Sequence, residues 1–200
     1  MPRHFTEKEK IELKKNLLNC AKDLFIQYGL NKTTITDITE AAGVGKGTFY
    51  LFFNSKGDIF LQLYSKEWTE AHEIIDANYL NRTGDIDQII LDYIYENREV
   101  LTGHPILSII YTRNALSIIS EPTVNKELHA FKELSDARLI TLIKSWFATN
   151  HIESSISPEI MSGMMRSLSY LNYHKDEIGE EIFYDVIKRF AEGIASIVNK

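Results

Sequence analysis

The amino-acid sequence predicts an all-α protein made of a small N-terminal helical unit and a larger C-terminal one. Apolar residues recur at three- and four-residue intervals along most of the chain, which is the period of a helix buried on one face. Glycine and proline lie between these segments, where helices end or begin. Since no segment combines alternating apolar and polar residues with a hairpin turn, a β-sheet is not expected.

Three helices are predicted in the N-terminal unit, residues 1–57. Gly43 lies between the second and third helices, and glycine readily adopts the left-handed conformation that a tight reversal needs. Thr33 and Thr34 can cap the second helix with their hydroxyl groups. The predicted helices span residues 7–28, 35–42 and 46–53.

The C-terminal unit, residues 58–200, is predicted to be helical throughout. A long helix begins after Asn54 or Ser55, and later helices are introduced by Ser-x-Pro or Ser-Pro signals. The run 106–112 has strand propensity by itself, but nothing elsewhere in the chain would pair with it, so we expect a helix opened by proline. The predicted helices span residues 56–77, 86–101, an element from Pro105, 121–150, 159–174 and 180–199.

Charge is distributed unevenly between the two units. The whole chain has a net charge of −6, yet residues 1–57 hold nine Lys and Arg against six Asp and Glu, whereas residues 58–200 hold 13 against 22. Only the N-terminal unit has the sign that a phosphate backbone attracts. The apolar runs are far shorter than a membrane span, so we expect a cytoplasmic protein without membrane contact. The single cysteine, Cys20, lies on the apolar side of the first predicted helix, and we expect it in the core.

The second and third helices have the pattern of a helix-turn-helix. The turn at Gly43 is tight, and the small residues Ala41 and Ala42 would let two crossing helices approach closely. A lysine near a helix N-terminus opposes the helix dipole, so Lys46 and Lys56 indicate an external anion such as phosphate. These residues also have roles within a fold, because lysines can be solvated, threonines can cap and tyrosine can pack. The residues predicted to face DNA on these grounds are Thr34, Gly45, Lys46, Gly47, Thr48, Tyr50, Leu51 and Lys56.

The segment TTITDITEAAGVGKGTFYLFFNSKGDIF, residues 33–60, resembles the DNA-binding segment of the TetR/AcrR family of repressors. The resemblance includes the aromatic-rich second helix of the pair and the spacing from Phe53 to Lys56. It implies that Thr34, Tyr50 and Lys56 contact phosphate. The residues that match positions at or near the bases are Thr36, Gly45, Lys46, Gly47, Thr48 and Leu51.

Two residues depart from the family pattern. Gly45 stands where a serine usually caps the recognition helix, and Thr39 stands where the preceding helix usually has an alanine. Glycine is an acceptable N-cap, so the first change weakens the cap only modestly. The resemblance implies a ligand-responsive transcriptional regulator, most simply a repressor, that binds a palindromic double-stranded operator as a homodimer and is released by an unknown small-molecule effector.

The last two predicted helices are candidates for the dimer interface. One helix-turn-helix contacts few phosphates, so two copies about one DNA turn apart are expected. Both helices carry apolar stripes with small residues, and the resemblance implies a four-helix interface formed by this pair in two subunits. Part of each stripe must also serve the core of its own chain. The predicted interface residues are Met164, Leu168, Leu171, Ile187, Phe190 and Ile194.

The central helices are dense in aromatic residues and carry polar groups at inward positions. In the family that the chain resembles, this region encloses a pocket for a small inducer, while ordinary core packing is the alternative for most of these side chains. The predicted pocket residues are Tyr64, Trp68, Tyr93, Tyr111, Asn114, Phe131, Arg138 and Trp146.

An enzyme and a protein-binding module are the alternatives to DNA binding. An enzyme is not indicated, because the sequence has no His-Glu-x-x-His segment, no paired cysteines and no glycine-rich phosphate loop. His129 and Glu133 share a helical face and can hold a metal, although a surface hydrogen bond explains them as well. A three-helix unit can also bind protein instead of DNA. We expect no enzyme activity, no metal and no cofactor.

Overall fold

A computed structural model describes residues 5–110, 120–171 and 174–198, and within these residues it contains ten α-helices and no strand. The all-α prediction is confirmed. The helices are α1 (Glu7–Tyr28), α2 (Ile35–Ala41), α3 (Lys46–Phe49), α4 (Lys56–Tyr79), α5 (Ile86–Gly103), α6 (Pro105–Ile109), α7 (Pro122–Thr149), α8 (Pro158–Leu171), α9 (Lys175–Ile178) and α10 (Phe183–Val198).

Helix α1 begins and ends where local chemistry dictates. The Thr6 side chain accepts a hydrogen bond from the Glu9 backbone N–H, and the Glu9 carboxylate accepts one from the Thr6 backbone N–H, so two N-terminal amides are satisfied. At the other end Gly29 has φ +81° and its N–H donates to the Phe25 carbonyl at 3.0 Å. Both predicted ends of this helix are confirmed.

Other helix boundaries differ from the predictions. Helix α3 ends at Phe49, because the chain then tightens into turns in which Leu51 N–H donates to Thr48 O at 3.3 Å. Helix α7 begins at Pro122, and the carbonyl of the preceding residue, Glu121, accepts a hydrogen bond from Asn125 N–H at 2.8 Å. Ser120 lies outside the helix.

The end of the chain also departs from the sequence pattern. Helix α8 is described as far as Leu171, and the predicted residues 172–173 lie outside the described residues. Helix α10 begins at Phe183, three residues later than predicted. Gly179 has φ +106°, and its carbonyl accepts from the N–H groups of Ile182 and Phe183, so a turn precedes the helix.

The described residues divide into two compact units, which do not follow chain order. The first comprises residues 5–69 with 104–110 and 120–129, and the second comprises 70–103 with 130–171 and 174–198. Helices α4 and α7 therefore each contribute to both units. The domain boundary between residues 57 and 58 that the sequence suggested stays a prediction.

Each unit has its own buried core. The first is built on large side chains with essentially no exposed surface, and the second is centred on Trp146. Burying a side chain of this size stabilises a fold by about 1.5–3 kcal/mol relative to leaving it exposed. The core of the first unit includes Leu17, Phe25, Ile38, Phe49, Phe53, Phe60 and Ile106; that of the second includes Tyr79, Ile90, Ile143, Trp146, Phe183 and Ala191.

A buried carboxylate lies within the first unit. Glu67 of α4 is only 3% exposed. Its Oε1 lies 2.7 Å from Nζ of Lys22 on α1, and its Oε2 accepts from the N–H of Ile106 at 2.8 Å. That N–H belongs to the first turn of α6, where no partner within the helix exists. Glu67 therefore joins three helices of this unit.

Candidate nucleic-acid interface

Helices α2 and α3 are joined by a tight turn over residues 42–45. Gly43 has φ +67°, a conformation that favours glycine. Its N–H donates to Glu40 O at 3.1 Å, and Val44 N–H donates to Thr39 O at 2.9 Å. The predicted helix-turn-helix and its turn at Gly43 are confirmed.

The packing between the two helices differs in detail from the prediction. Ile38 is fully buried, but Ala41 is exposed and Ala42 is only half-buried, so the expectation that Ala41 lies where the two helices approach closely is wrong. Thr39 takes an inward place and is 2% exposed. Its hydroxyl donates to Thr36 O at 3.0 Å, which satisfies the buried polar group and explains why a threonine is tolerated here.

The N-terminal turn of α3 and the residues after it form an exposed surface. Tyr50 is 58% exposed and Leu51 64% exposed, whereas the preceding residue, Phe49, is fully buried. A Cβ added at Gly45 or Gly47 would meet no atom within 4 Å, so packing within the chain does not require glycine at either position. Among the predicted DNA-facing residues, those that are exposed are Thr34, Gly45, Lys46, Gly47, Tyr50 and Leu51, and those that are half-buried are Thr36, Thr48 and Lys56.

Thr34 caps α2. Its hydroxyl oxygen accepts from Asp37 N–H at 3.2 Å, and its own N–H and O–H donate to the Asp37 carboxylate at 2.8 Å. The backbone hydrogen bond from Thr34, followed by the one from its side chain, lowers the pKa of Asp37. Thr33 is buried instead, and its hydroxyl donates to Gly29 O at 2.9 Å, at the end of α1. Only one of the two threonines is therefore a cap for α2.

Lys56 has partners inside the chain. Its Nζ donates to the carbonyl oxygens of Leu30 and Thr33, both at 2.7 Å. Burial lowers the pKa of Lys56, while the nearby carboxylates of Glu121 and Asp37 act in the opposite direction. A lysine at the start of α4 thus has intramolecular partners, so its position alone does not require an external anion. Its contact with phosphate stays a prediction.

The structure adds a residue that the sequence reading missed. Nδ2 of Asn16, on α1, donates to the carbonyl oxygen of Ala42 at 2.9 Å, at the start of the turn. Cys20, one helical turn later, was expected in the core but is half-buried. Its Sγ lies 3.7 Å from Asn16 Oδ1. The only signal in the sequence is an asparagine flanking the apolar stripe of α1.

Two of the predicted pocket residues lie together in the core of the second unit. The rings of Tyr93 and Trp146 are 5.5 Å apart, and both also contact Tyr79, whose carbonyl accepts from Trp146 Nε1–H at 2.7 Å. In the same unit Arg138 forms an ion pair with Asp76.

The other predicted pocket residues differ in their burial and in the unit to which they belong. Tyr64 packs on Phe60 in the first unit, with ring centroids 5.9 Å apart. Trp68 and Phe131 are half-buried. Tyr111 and Asn114 lie outside the described residues.

The predicted dimer residues fall into two groups. Leu168, Ile187 and Ile194 are at most 7% exposed and belong to the core of the second unit. Met164 and Leu171 are half-buried, whereas Phe190 is 55% exposed. The first three residues therefore serve their own chain's core, which was the alternative reading.

No helix of the described part is long and apolar enough to cross a membrane. Within the same residues, no group of three or more His, Cys, Asp or Glu side chains is placed to hold a metal ion.

Comparisons with known proteins agree with this geometry. A family model described as bacterial regulatory proteins, tetR family, matches residues 17–63, which span the helix-turn-helix. The regulator AcrR of Shigella flexneri is 36% identical over 69 residues, which are 34% of this chain and 32% of that protein. The chain spans about a third of the length of the curated relatives it matches.

Solved structures match over nearly the whole chain. A TetR-family transcriptional regulator from Agrobacterium tumefaciens has a TM-score of 0.70 and 19% identity, over 96% of this chain and 100% of that one. FadR of Bacillus subtilis, solved in complex with stearoyl-CoA, has a TM-score of 0.68 and 14% identity, over 93% and 97% of the two chains. Because both structures are less than 25% identical to this chain, the likeness shows the fold alone, and the family match covers the helix-turn-helix. Residues 17–63 thus match the tetR family of bacterial regulatory proteins, and the chain as a whole has the fold of TetR-family regulators of known structure.

Proposed function

We propose that this protein is a ligand-responsive transcriptional repressor that binds a palindromic operator as a homodimer and is released by a small-molecule effector. The observation that carries the DNA-binding part is the exposed surface on the N-terminal turn of α3 and the residues that follow it. In a helix-turn-helix the second helix enters the major groove with its N-terminal residues towards the bases. Here those are the residues that the fold leaves accessible.

The chemistry of this surface suits a DNA groove. Lys46 offers a cation to a guanine edge or a phosphate, and Leu51 offers an apolar contact to a thymine methyl group. The hydroxyl of Tyr50 can donate to a phosphate oxygen. Because Gly45 and Gly47 leave space that no atom of the chain fills, a DNA backbone can approach the helix closely at this end.

Dimerisation is supported by a second apolar face on α10. Ile182, just before the helix, and Phe190 are each 55% exposed, and Val186 lies between them at helical spacing. With Asp185 and Arg189 they line a shallow depression of about 390 Å³. Exposed apolar side chains that line a common surface in this way mark an interaction surface.

A partner helix would also have room further along the same face. A Cβ added at Gly193 would meet no atom within 4 Å. We therefore propose that the homodimer forms through this face, with Phe190 as its central apolar contact. The buried residues Leu168, Ile187 and Ile194 support the interface from within the subunit.

The effector site is proposed to lie in the second unit. The aromatic cluster of Tyr93 and Trp146 is already closely packed, whereas Phe131 and Arg138 on α7 keep accessible surface. An effector that binds one conformation of this unit better would shift the population towards it, move α4 and change the separation of the two recognition helices. The solved FadR with stearoyl-CoA indicates that this fold can hold a ligand.

Selection of bound duplexes from a random DNA pool tests the proposal. The expected result is an enriched palindrome whose half-sites are about one helical turn apart, with an affinity that falls steeply as salt rises. A weak, salt-insensitive association without an enriched sequence would contradict DNA binding and favour a protein partner. An enriched single half-site would contradict dimerisation only.

Variants refine the same experiment. Lys46→Ala and Thr48→Ala should change which base pairs are preferred, because both residues belong to the surface that faces the bases in this proposal. Lys144→Ala, which removes an exposed lysine from α7 in the second unit, is the matched control and should leave the preference unchanged. If all three variants select the wild-type site, the assigned recognition surface is wrong.

A further inference from the structure

The turn of the helix-turn-helix is tied to α1 by one side chain. Asn16 Nδ2 donates to the Ala42 carbonyl at 2.9 Å, across 26 residues of sequence. Ala42 follows the last residue of α2, and carbonyl groups at a helix C-terminus lack partners within the helix. The asparagine therefore satisfies a helix-end carbonyl and fixes the position of the turn relative to α1.

Other restraints on this turn are backbone hydrogen bonds from Gly43 N–H to Glu40 O and from Val44 N–H to Thr39 O, which tie it to α2 and not to α1. Two of its four residues are glycine, which gives its backbone more freedom than other residues would. Helix α3 has only four residues, and a helix of this length is not stable by itself. Its direction therefore depends on the buried Phe49 within it and on what holds its two ends. After its C-terminal end Phe53 is buried, and on its N-terminal side the tie to α1 is made by Asn16.

The amide of Asn16 is held in the orientation that the tie needs. An asparagine side chain has a donor on one side and an acceptor on the other. Cys20 Sγ lies 3.7 Å from Asn16 Oδ1, within the distance of a hydrogen bond to sulfur. Burial and then the nearby Asp23 raise the pKa of the Cys20 thiol, so at neutral pH it stays protonated and donates to Oδ1. This leaves Nδ2 for Ala42.

We infer that Asn16 is a positioning residue for DNA recognition: it holds the turn between α2 and α3 and thereby sets the angle at which α3 meets the major groove. The inference rests on the proposed DNA binding and adds a residue that is not assigned to touch DNA. Because Asn16 is on the surface, its replacement removes no core packing, and the variants should fold.

Two replacements of Asn16 test the tie. Asn16→Ala removes the donor, and Asn16→Asp keeps the size of the side chain but gives it only acceptor oxygens, which repel the Ala42 carbonyl. The expected loss of affinity for the selected operator is roughly three- to tenfold for alanine and larger for aspartate, since one such hydrogen bond is a modest net term. The thermal unfolding midpoint should move little.

Asn19 supplies the matched controls, because it is exposed on the same helix one turn further on. Asn19→Ala and Asn19→Asp change composition and charge in the same way without touching the turn. Any effect of the added negative charge on DNA affinity should be shared by the two aspartate variants and should shrink at high salt. The loss specific to position 16 should persist there.

Amide hydrogen exchange gives a readout that does not need DNA. In the free protein, Asn16→Ala should speed exchange of the Gly43 and Val44 amides several-fold while the Phe25 amide in α1 is unchanged. If the wild-type chain selects no DNA, the proposed function and this role fall together. If it binds DNA but the variants at positions 16 and 19 behave alike in both affinity and exchange, only the role of Asn16 is overturned.

Discussion

The ion pair between Lys22 and Glu67 allows a sharp test of how the first unit is held together. The carboxylate of Glu67 is 3% exposed, whereas the Lys22 side chain is 38% exposed. Replacing Lys22 by Met leaves the buried carboxylate with the Ile106 N–H but without its cation. Breaking a buried pair in this way costs about 3–5 kcal/mol, and the partial exposure of Lys22 places the expected cost near the lower end.

The reverse replacement should cost less. In Glu67→Gln the side-chain oxygen can still accept from Ile106 N–H, and the Lys22 ammonium can be solvated because it already reaches water. A loss of about 1.5 kcal/mol is expected, which is the lower end of the range for a hydrogen bond to a charged group. The double variant has no buried charge, so it should be more stable than Lys22→Met alone by about 1–3 kcal/mol.

Urea unfolding at one fixed protein concentration, followed by circular dichroism and tryptophan fluorescence, measures these free energies. Lys144→Met is the control, since its ion pair with Glu159 is exposed on both sides and should contribute at most about 0.5 kcal/mol. If the double variant is as unstable as the sum of the two single changes, Glu67 is not held by Lys22 as a buried charge, and the reasoning fails.

Three further outcomes follow from the structure. Gly57→Ala places a Cβ 2.7 Å from Cγ2 of the buried Val124, so it should lower the free energy of unfolding by about 1–3 kcal/mol. Gly103→Ala is the control, because the space around Gly103 is open and the added Cβ should not lower the free energy of unfolding. Equal effects of the two variants in urea unfolding would contradict this prediction. Because the pKa of Asp37 is depressed in the folded chain, its carboxylate stabilises the fold above its ordinary pKa of 3.8, and this contribution is lost as the pH falls through the lower folded value. The stability of Asp37→Asn should therefore depend less on pH in that acid range than the stability of the wild type. Acid titration of the circular dichroism signal measures this difference. Phe190→Glu should shift sedimentation from dimer to monomer while the helical content is kept; an unchanged dimer would move the interface elsewhere.

The helices of the first unit were predictable because their signals are local. Helix α1 has an apolar stripe that ends at Gly29, and both of its ends were predicted correctly. Helix α3 was predicted too long because Phe52 and Phe53 continue the helical spacing. The chain instead tightens there, and Phe52 N–H donates to Phe49 O at 3.0 Å, a three-residue step that spacing of apolar residues does not distinguish from a helical one.

Side-chain partners that are distant in sequence could not be predicted in this way. Lys56 stands at a helix N-terminus, where the dipole disfavours a cation, and the sequence offers an external anion as the simplest compensation. The structure supplies carbonyl oxygens of Leu30 and Thr33 instead. The tie from Asn16 to Ala42 is hidden for the same reason, since neither residue is unusual for its own helix.

The apolar pattern of α10 shows a different limit. Periodicity identifies Ile187 and Ile194 as well as Phe190, but it does not separate the face that packs on the subunit's own core from the face that stays exposed. The structure separates them, because the first two are at most 7% exposed and Phe190 is 55% exposed. A helix that is apolar on two sides is typical of one with neighbours on both. The second neighbour of α10, in the function proposed here, is the same helix of another subunit, which is why exposure within one chain points to the interface better than hydrophobicity does.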